Sequence, residues 1–588
     1  MAAVSDFVMR LLRWTFPGPR TPSSLDRVIV PLEDAHLHSY SARVEGANPR
    51  GFEDEGDLEG EPGPKDSHEE TGMLEMNVSE YSIEGLRREV RKGSQAPLTD
   101  YELRSKVINK AIQDIGMGTY NWQLFILCGF GWFADNLWLQ GISLTLPSLS
   151  AEFDIDEKTV RYTTSAVFFG LCIGSSVWGI GSDIFGRRIA FTMTLLISSV
   201  FGILSTYAGT WAWVCFFYAA LGFGVGGNLP VDGALFLEFL PEGSTSLLTL
   251  LSVWWPVGQL VSSLIAWYFI TNYPAEIGWR HFIFAIGVLT FIMFALRSLV
   301  YQVYESPKFL LSQGRTVEAV AVVHKVALRN NARTWLTTSV LDAVVAGDEA
   351  HVERAPLRVS ASSVLMDNLK SFSGERLRPL FSTRKLGLAT GLLWFTWATI
   401  GMGYPLFNAF LPQYLSHGAN DGSSTEPGTA PEISNEAYRN YAITSAAGFP
   451  GSLLATYLVD HPSPLLGRRG TLAFSSLASA LLLILFVTHG TTPGWQLFFS
   501  SVAAFTQNIM YGVLYAFTPE VFPAPVRGAG TGVASFLNRA MGLLAPLLAA
   551  NVPGNGTSVP VFMAGGLIFS AFVSVCLIPV ETRGAQLL

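Results

Sequence analysis

The chain has 588 residues, of which 49% are hydrophobic and 14% charged, and its formal net charge is −8. So apolar a composition excludes an ordinary soluble domain and indicates an integral membrane protein, while the acidic balance argues against a nucleic-acid partner. The four cysteines fall inside apolar runs without metal-ligand spacing, so we expect no disulfide, no metal and no other cofactor.

The chain begins with a polar tail of about 115 residues. Its first 20 residues lack the long apolar core of a cleaved signal. Residues 51–70 are rich in Glu, Asp, Gly and Pro, a composition typical of disorder. We therefore predict a cytosolic, largely disordered tail over residues 1–115.

About twelve apolar stretches follow, each near the ~20 residues that a membrane-spanning helix needs. The first six cover residues 122–148, 160–181, 190–209, 211–236, 247–271 and 280–302. The second six cover residues 387–415, 441–460, 471–489, 495–517, 528–550 and 559–579. A hydrophilic stretch separates the two sets, and residues 316–330 within it have helical amphipathic spacing.

The link between the second and third spans repeats in the second half of the chain. Its sequence is Gly181-Ser182-Asp183-Ile184-Phe185-Gly186-Arg187-Arg188, and its two arginines hold it in the cytosol. Asp183 is the natural partner of one of those arginines or of a facing helix end, although a loop that only sets topology explains the motif equally well. Three pairs recur in order: this motif with Asp460 and Gly467-Arg468-Arg469, Glu238 with Glu520, and Glu305 with Glu581.

Ordered repeats of this kind indicate two related halves, as in many secondary transporters. We predict roles in gating or conformational change for Gly181, Asp183, Gly186, Arg187, Arg188, Glu238, Glu305, Asp460, Gly467, Arg468, Arg469, Glu520, Arg527 and Glu581.

The basic residues of the loops fall on one face of a twelve-span arrangement, which predicts that this face and both termini are cytosolic. Asn555, in Asn555-Gly556-Thr557, then lies outside and is a glycosylation candidate. We expect the plasma membrane, with a vacuolar or other endomembrane as the alternative.

Asp135 lies near the middle of the first span. Because an aspartate there costs about 2.5–3.5 kcal/mol on insertion scales, it should face an aqueous cavity, be paired or be protonated. A structural hydrogen bond to a neighbouring helix is the alternative. Asp232 and Glu238 lie towards the cytosolic end of the fourth span, which favours a gate or a charge network.

Polar and aromatic residues of the spans are candidates for lining a central cavity. A mixture of aromatic faces and amides suits a small organic solute, including a cation stacked on tryptophan, although any single tryptophan is also explained as an interfacial anchor. Arg539 is a candidate for holding an anionic group or for pairing with a helix end. With Asp135, Asp232 and Arg539, the predicted substrate and coupling residues are Trp132, Asn136, Asn228, Trp254, Trp255, Gln259, Trp394, Trp397, Asn408, Gln507, Asn508, Tyr511 and Asn538.

The repeats, over residues 121–584, resemble the major facilitator superfamily. Gly131-Trp132-Phe133-Ala134-Asp135 and the run Gly224 to Val231 resemble its synaptic-vesicle-protein-like branch. Glu305-Ser306-Pro307 and Thr518-Pro519-Glu520 resemble sugar-porter signatures. The resemblance implies an alternating-access carrier in which two six-helix bundles rock around a central site.

The fold class predicted is therefore an all-α membrane protein with about twelve transmembrane helices in two six-helix bundles. We place the bundles at residues 116–303 and 387–580, a cytosolic central loop with short helices at 304–386, and a cytosolic tail at 581–588. The glycines of residues 222–227 should make a close helix contact, because glycine lets backbones approach.

Three departures from the family pattern stand out. Hexose porters carry a Gln-Gln pair in the seventh span, where this chain has Trp394-Phe395-Thr396-Trp397, which argues against a hexose. Tyr218 takes the place of an arginine frequent in the fourth span, which argues against proton coupling through an Asp–Arg pair there. Residues 461–466 are additional in the second-half loop.

We predict a monomeric secondary transporter in the lipid bilayer that moves a small-molecule substrate: an organic ion, a carboxylate or a sugar-like compound. Coupling to protons stays open. The alternatives are a non-transporting sensor or receptor with the same fold, and a proton-antiport efflux pump. No nucleotide-binding loop or hydrolase elbow occurs in the sequence, so we do not expect an enzyme.

Overall fold

The computed structural model of the chain describes residues 28–38, 81–91, 100–241, 246–301, 303–346, 378–412, 414–415, 435–459, 467–522, 527–551 and 558–580. Within these ranges the regular structure is helical, apart from one isolated parallel bridge between Ile29 and Thr334. The predicted all-α architecture is confirmed.

The helices are numbered in chain order. The tail contributes α1 (Ile83–Arg91) and α2 (Asp100–Ile115). The first half contains α3 (Thr119–Phe153), α4 (Tyr162–Phe185), α5 (Arg187–Ser205), α6 (Trp211–Val225), α7 (Asn228–Glu238), α8 (Trp254–Asn272) and α9 (Ala275–Ala295). The central loop contributes α10 (Pro307–Ser312), α11 (Thr316–Arg329) and α12 (Thr338–Ala346). The second half contains α13 (Arg384–Asn408), α14 (Asn435–Val459), α15 (Arg468–His489), α16 (Pro493–Val521), α17 (Arg527–Asn551) and α18 (Ser558–Leu577).

Eleven helical stretches of the described residues are long and apolar enough to cross a bilayer. They correspond to the second to twelfth predicted spans, with α6 and α7 together forming the fourth. The first predicted span is α3, which has 35 residues and is therefore about 52 Å long. It is not among the eleven, and its apolar centre is interrupted by three polar residues, Asp135, Asn136 and Gln140.

The glycines at the end of α6 and just after it allow close packing on two sides. A Cβ on Gly222 or Gly226 would meet the backbone carbonyl of Val167 or Leu171 on α4. A Cβ on Gly224 would meet α5 at Ser198. The close helix contact predicted for this run is confirmed.

Part of the tail is folded, although the sequence predicted a largely disordered one. α1 and α2 pack against α12, and α2 packs also against α10 and α11. Their apolar side chains, such as Leu86 and Val107, are fully buried in that contact. We call this assembly of α1, α2, α10, α11, α12 and residues 28–38 the tail–loop domain. Residues 51–70, where the composition predicts disorder, lie outside the described residues.

Asp114 of α2 joins three parts of the tail–loop domain. Its carboxylate accepts hydrogen bonds from Trp335 Nε1 of the loop at 2.8 Å and from Tyr81 of the tail at 3.2 Å. Lys110 Nζ completes the cluster at 3.0 Å. Burial and the adjacent carboxylate raise the pKa of the Tyr81 phenol above its usual range, so Tyr81 remains a donor. The domain rests on the first half of the chain, where Asn330 accepts a hydrogen bond from the Tyr120 backbone N–H at 2.9 Å.

The two halves face each other along two lines of contact, α4 against α17 and α8 against α14. We call the end of the helices next to the tail–loop domain the loop end, and the opposite end the distal end. α4 and α17 are antiparallel to each other: α4 begins at the distal end and α17 ends there. Residues 161 and 549 therefore both lie at the distal end. The candidate site lies between these lines, at the middle of α3.

Candidate functional site

Asp135 is held at the centre of α3 by an asparagine from α7. Its side chain is 4% exposed, and its Oδ1 accepts a hydrogen bond from Asn228 Nδ2 at 3.0 Å. The same nitrogen lies 3.3 Å from the carbonyl oxygen of Gly131. Asn228 is the first residue of α7, because the helix of the fourth span breaks at Gly226 and Gly227. The glycine break therefore places an amide donor next to the carboxylate.

Arg539 of α17 supplies the opposite charge from the second half. Arg539 follows Asn538, whose amide nitrogen lies 3.4 Å from the carbonyl oxygen of Trp397 on α13. The Arg539 side chain is half-buried and forms no hydrogen bond or ion pair with the described residues. The first half thus contributes a buried carboxylate and the second half a half-buried guanidinium, and the two form no direct ion pair in the described structure.

Six aromatic residues from four helices form a cluster beside this pair. Trp132 of α3 stacks on Trp255 of α8, with ring centroids 4.7 Å apart and planes 21° apart. Tyr515 of α16 lies 5.2 Å from Trp255 and 4.8 Å from Trp397 of α13, in edge-to-face contact with both. The cluster is completed by two more rings, Tyr404 and Tyr511. The rings join the two halves, so any relative motion of the halves must rearrange them.

Several polar atoms near the cluster are buried without a hydrogen-bonding partner among the described residues. They are Trp132 Nε1, Asn228 Oδ1 and Gln507 Nε2. Buried polar groups are normally satisfied, and leaving one unpaired costs about 1–3 kcal/mol. Two donors and one acceptor therefore keep unused hydrogen-bonding capacity in the described structure.

Three other predicted lining residues form hydrogen bonds between helices. Asn408 donates to Gln507 at 2.8 Å, which links α13 with α16. Gln259 donates to Tyr441 at 3.3 Å, which links α8 with α14 across the halves. Asn538 lies 3.4 Å from the carbonyl oxygen of Trp397.

Asn136 and Asn508 are half-buried on the same helices as cluster residues, and Asn508 Nδ2 donates within its own helix to Ala504 at 2.8 Å. The two remaining tryptophans lie outside the aromatic cluster. Trp394 donates to Gly530 at 3.0 Å, and Trp254 packs against Phe125 and Phe130 of α3.

Asp232 belongs to a separate buried ion pair. Its Oδ2 lies 2.7 Å from Arg297 Nη2, and both side chains are fully buried. Arg297 follows the end of α9 and was not among the predicted site residues. Its position at the end of an otherwise apolar span was the feature of the sequence that could have identified it. Gly131 makes room for this pair, because a Cβ there would collide with the Asp232 carboxylate.

The repeated motifs form equivalent ion pairs in the two halves. Arg187 pairs with Glu238 at 2.9 Å in the first half, and Arg468 pairs with Glu520 in the second. The Glu305 carboxylate also accepts hydrogen bonds from the backbone N–H groups of Arg187 and Arg188, at 2.9 and 3.3 Å.

The charged residues of the repeated motifs lie at the ends of helices. Glu305 sits at the start of α5, where a helix favours an anion. Gly186 allows this approach, since its φ is +103° and a Cβ there would meet Glu305. In the second half, Gly467 has a φ of +31° before α15, and Arg469 donates to the Cys576 carbonyl at 2.9 Å.

The remaining predicted gating residues are only partly described. Gly181 is buried in α4. The side chains of Asp183 and Arg527, and the residues Asp460, Glu581 and Asn555, lie outside the described part of the structure.

Comparison with known proteins agrees with this architecture. The model of the Major Facilitator Superfamily matches residues 124–546. MFS siderochrome iron transporter 1 of Ceriporiopsis subvermispora is 39% identical, with 82% of this chain and 92% of that protein covered. Organic cation/carnitine transporter 7 of Arabidopsis thaliana is 28% identical, with coverage of 82% and 95%. A synaptic vesicle 2-related protein of Xenopus laevis is 26% identical, with 82% of each chain covered.

Among solved structures, the xylose transporter XylE from E. coli, in a partially occluded inward open conformation, is similar in fold. The TM-score is 0.58 at 16% identity, with 80% of this chain and 100% of that chain covered. The resemblance to the major facilitator superfamily is thereby confirmed, and a synaptic vesicle 2-related protein is among the relatives. The chain belongs to the major facilitator superfamily, and it is a multi-pass membrane protein that acts as a secondary transporter and not as an enzyme.

Proposed function

We propose that this transporter carries a small organic ion that has both a carboxylate and a cationic or aromatic group. The observation that carries the proposal is the buried Asp135 carboxylate, which is held by one amide beside aromatic rings from both halves, with Arg539 on α17 of the opposite half. A solute that bridges them neutralises both charges at once and holds the two halves together.

Each group has a matching partner on such a solute. The Arg539 guanidinium offers a planar fork of donors that suits a carboxylate. The Asp135 carboxylate suits a cation, and the faces of Trp132, Trp255 and Trp397 add cation–π attraction. The unpaired Trp132 Nε1 and Gln507 Nε2 offer further donors to the solute. The name of one relative, an organic cation/carnitine transporter, is consistent with this class.

We further propose that the protein is a monomer whose two halves move to open this site to one side of the membrane and then to the other. The tail–loop domain and both termini then lie in the cytosol, and the membrane is the plasma membrane. The arginines of the motif around Arg187 and of its repeat around Arg468 support this orientation, because cytosolic loops carry an excess of basic residues. A vacuolar or other endomembrane remains the alternative.

A proteoliposome uptake panel tests the substrate class. Four probes should be compared: a betaine-type quaternary ammonium carboxylate, a quaternary ammonium without a carboxylate, a monocarboxylate and a hexose. We expect uptake in that order of preference, with no hexose flux. Arg539→Gln should weaken the carboxylate-bearing probes selectively, while Arg439→Gln, at an exposed arginine, should leave uptake unchanged. Uptake of hexose alone, or the same preference after Arg539→Gln, would overturn the proposal.

We propose proton coupling through Asp135 as a second candidate function. Asp135 is a carboxylate in the middle of a span, hydrogen-bonded to a single amide, and alternating access would expose it to each side in turn. Uptake driven by an imposed pH gradient, measured with the same vesicles, would distinguish symport from proton-antiport efflux.

A further inference from the structure

We propose that Arg161 forms the gating contact that holds the distal ends of the two halves together. Arg161 immediately precedes α4 in the first half, and its side chain is only 7% exposed. The contacts described for that side chain are with the second half. Arg161 should therefore stabilise the distally closed state of the transport cycle and be released when the distal end opens.

The contact combines a helix end and an aromatic face. Arg161 Nη1 donates to the carbonyl oxygen of Ala549 at 2.8 Å. Ala549 lies in the last turn of α17, where carbonyl groups lack intrahelical partners and carry the negative end of the helix dipole. The Arg161 guanidinium also lies 5.2 Å from the ring centroid of Phe410, which follows α13. A cation thus binds two elements of the opposite half.

Neutral hydrogen bonds accompany this cation across the same end of the interface. Asn551 donates to the Tyr162 hydroxyl at 3.1 Å, next to Arg161. Tyr438 donates to the carbonyl oxygen of Leu144 at 3.3 Å. Nearer the middle of the interface, Ser263 and Ser445 form a hydrogen bond at 3.2 Å, and both are fully buried. These neutral bonds are weak individually, so removing the charge-assisted contact should matter most.

When the distal end opens, Arg161 and the Ala549 carbonyl group become exposed to water. Hydration then replaces the hydrogen bond between them, so the contact can form and break during the transport cycle. A buried guanidinium without a partner is costly, but one at the rim of an opened vestibule is hydrated. Arg161 therefore favours the closed state through differential contacts, as a conformational switch requires.

Access of a thiol reagent to Ser263→Cys measures the opening without any substrate. Ser263 is fully buried in the described state, and the native residues Cys128, Cys172, Cys215 and Cys576 are replaced in the background. In detergent, a membrane-impermeant maleimide should label Ser263→Cys about tenfold faster when Arg161→Met is added. Arg161→Lys should give a smaller increase, because lysine keeps the charge but not the planar fork.

The matched control is Arg439→Gln, which removes an exposed arginine near the same end of the molecule. It should leave the labelling rate unchanged. Thermal unfolding of each variant, followed by intrinsic fluorescence, identifies misfolding, and Arg161→Lys replaces Arg161→Met if the latter does not fold. An unchanged labelling rate in a folded variant would overturn the proposal. Because the measurement needs no substrate, its failure is distinct from a failure of the proposed substrate class.

Discussion

Asp232 and Arg297 form an ion pair at 2.7 Å whose side chains are both fully buried. Arg297 also donates to the carbonyl oxygen of Leu127 at 2.6 Å and to that of Phe191 at 2.6 Å. Its guanidinium lies 3.5 Å from the centroid of the Phe191 ring. One arginine therefore ties α3, α5 and α7 together in the first half.

Breaking this pair should destabilise the protein. In Arg297→Met the Asp232 carboxylate keeps its burial but loses its counterion, which costs about 3–5 kcal/mol in comparable pairs. Thermal unfolding in detergent should show a much lower midpoint. The double variant Asp232→Leu/Arg297→Met removes both charges and should recover part of the loss. A single variant with the wild-type midpoint would show that the pair contributes little.

Asp135→Asn tests the central carboxylate. The substitution keeps the shape and the contact with Asn228 but removes the charge, so cationic substrates should lose affinity or flux should lose its pH dependence. The measurement is uptake by proteoliposomes across a pH series. Flux that matches the wild type at every pH, with unchanged selectivity, would assign Asp135 a structural role.

The ion pairs of the repeated motif should act equivalently in the two halves. Glu238→Gln and Glu520→Gln each remove the partner of an arginine at the loop end. Asp183→Asn tests the acidic residue of the same motif. Since a partly exposed pair contributes about 0–1 kcal/mol, we expect a shift between access states and slower turnover, not unfolding. If all three variants transport at the wild-type rate and express normally, the motif serves topology alone.

Alanine at the glycines of the fourth span should disrupt packing. Gly222→Ala and Gly226→Ala place a methyl group against backbone carbonyls of α4, which cannot move aside without shifting a helix. Overpacking of this kind costs about 1–3 kcal/mol. Gly179→Ala is the matched control, because a Cβ there meets nothing within 4 Å. Thermal unfolding midpoints should fall for the first two variants only, and equal midpoints for all three would contradict the close contact.

The sequence was sufficient to predict the helices and the two related halves, because long apolar runs and ordered repeats depend on local composition. It also indicated Asp135, since a charge inside an apolar span is conspicuous. It did not indicate that Arg297 pairs with Asp232, or that Tyr404 and Tyr515 belong to the aromatic cluster. Those contacts depend on which sides of the helices pack together, and tertiary packing determines that arrangement. The polar composition of α1 and α2 likewise concealed apolar positions that are buried only against distant parts of the chain.

The tail–loop domain has a consequence for the order of synthesis. The hydrogen bond between Trp335 and Asp114 joins residues 221 positions apart, and all helices of the first half lie between them. A chain made from its N-terminus exposes α1 and α2 before their partners exist. The tail helices can therefore bury their apolar side chains only after the first six spans have been made and the central loop has left the ribosome.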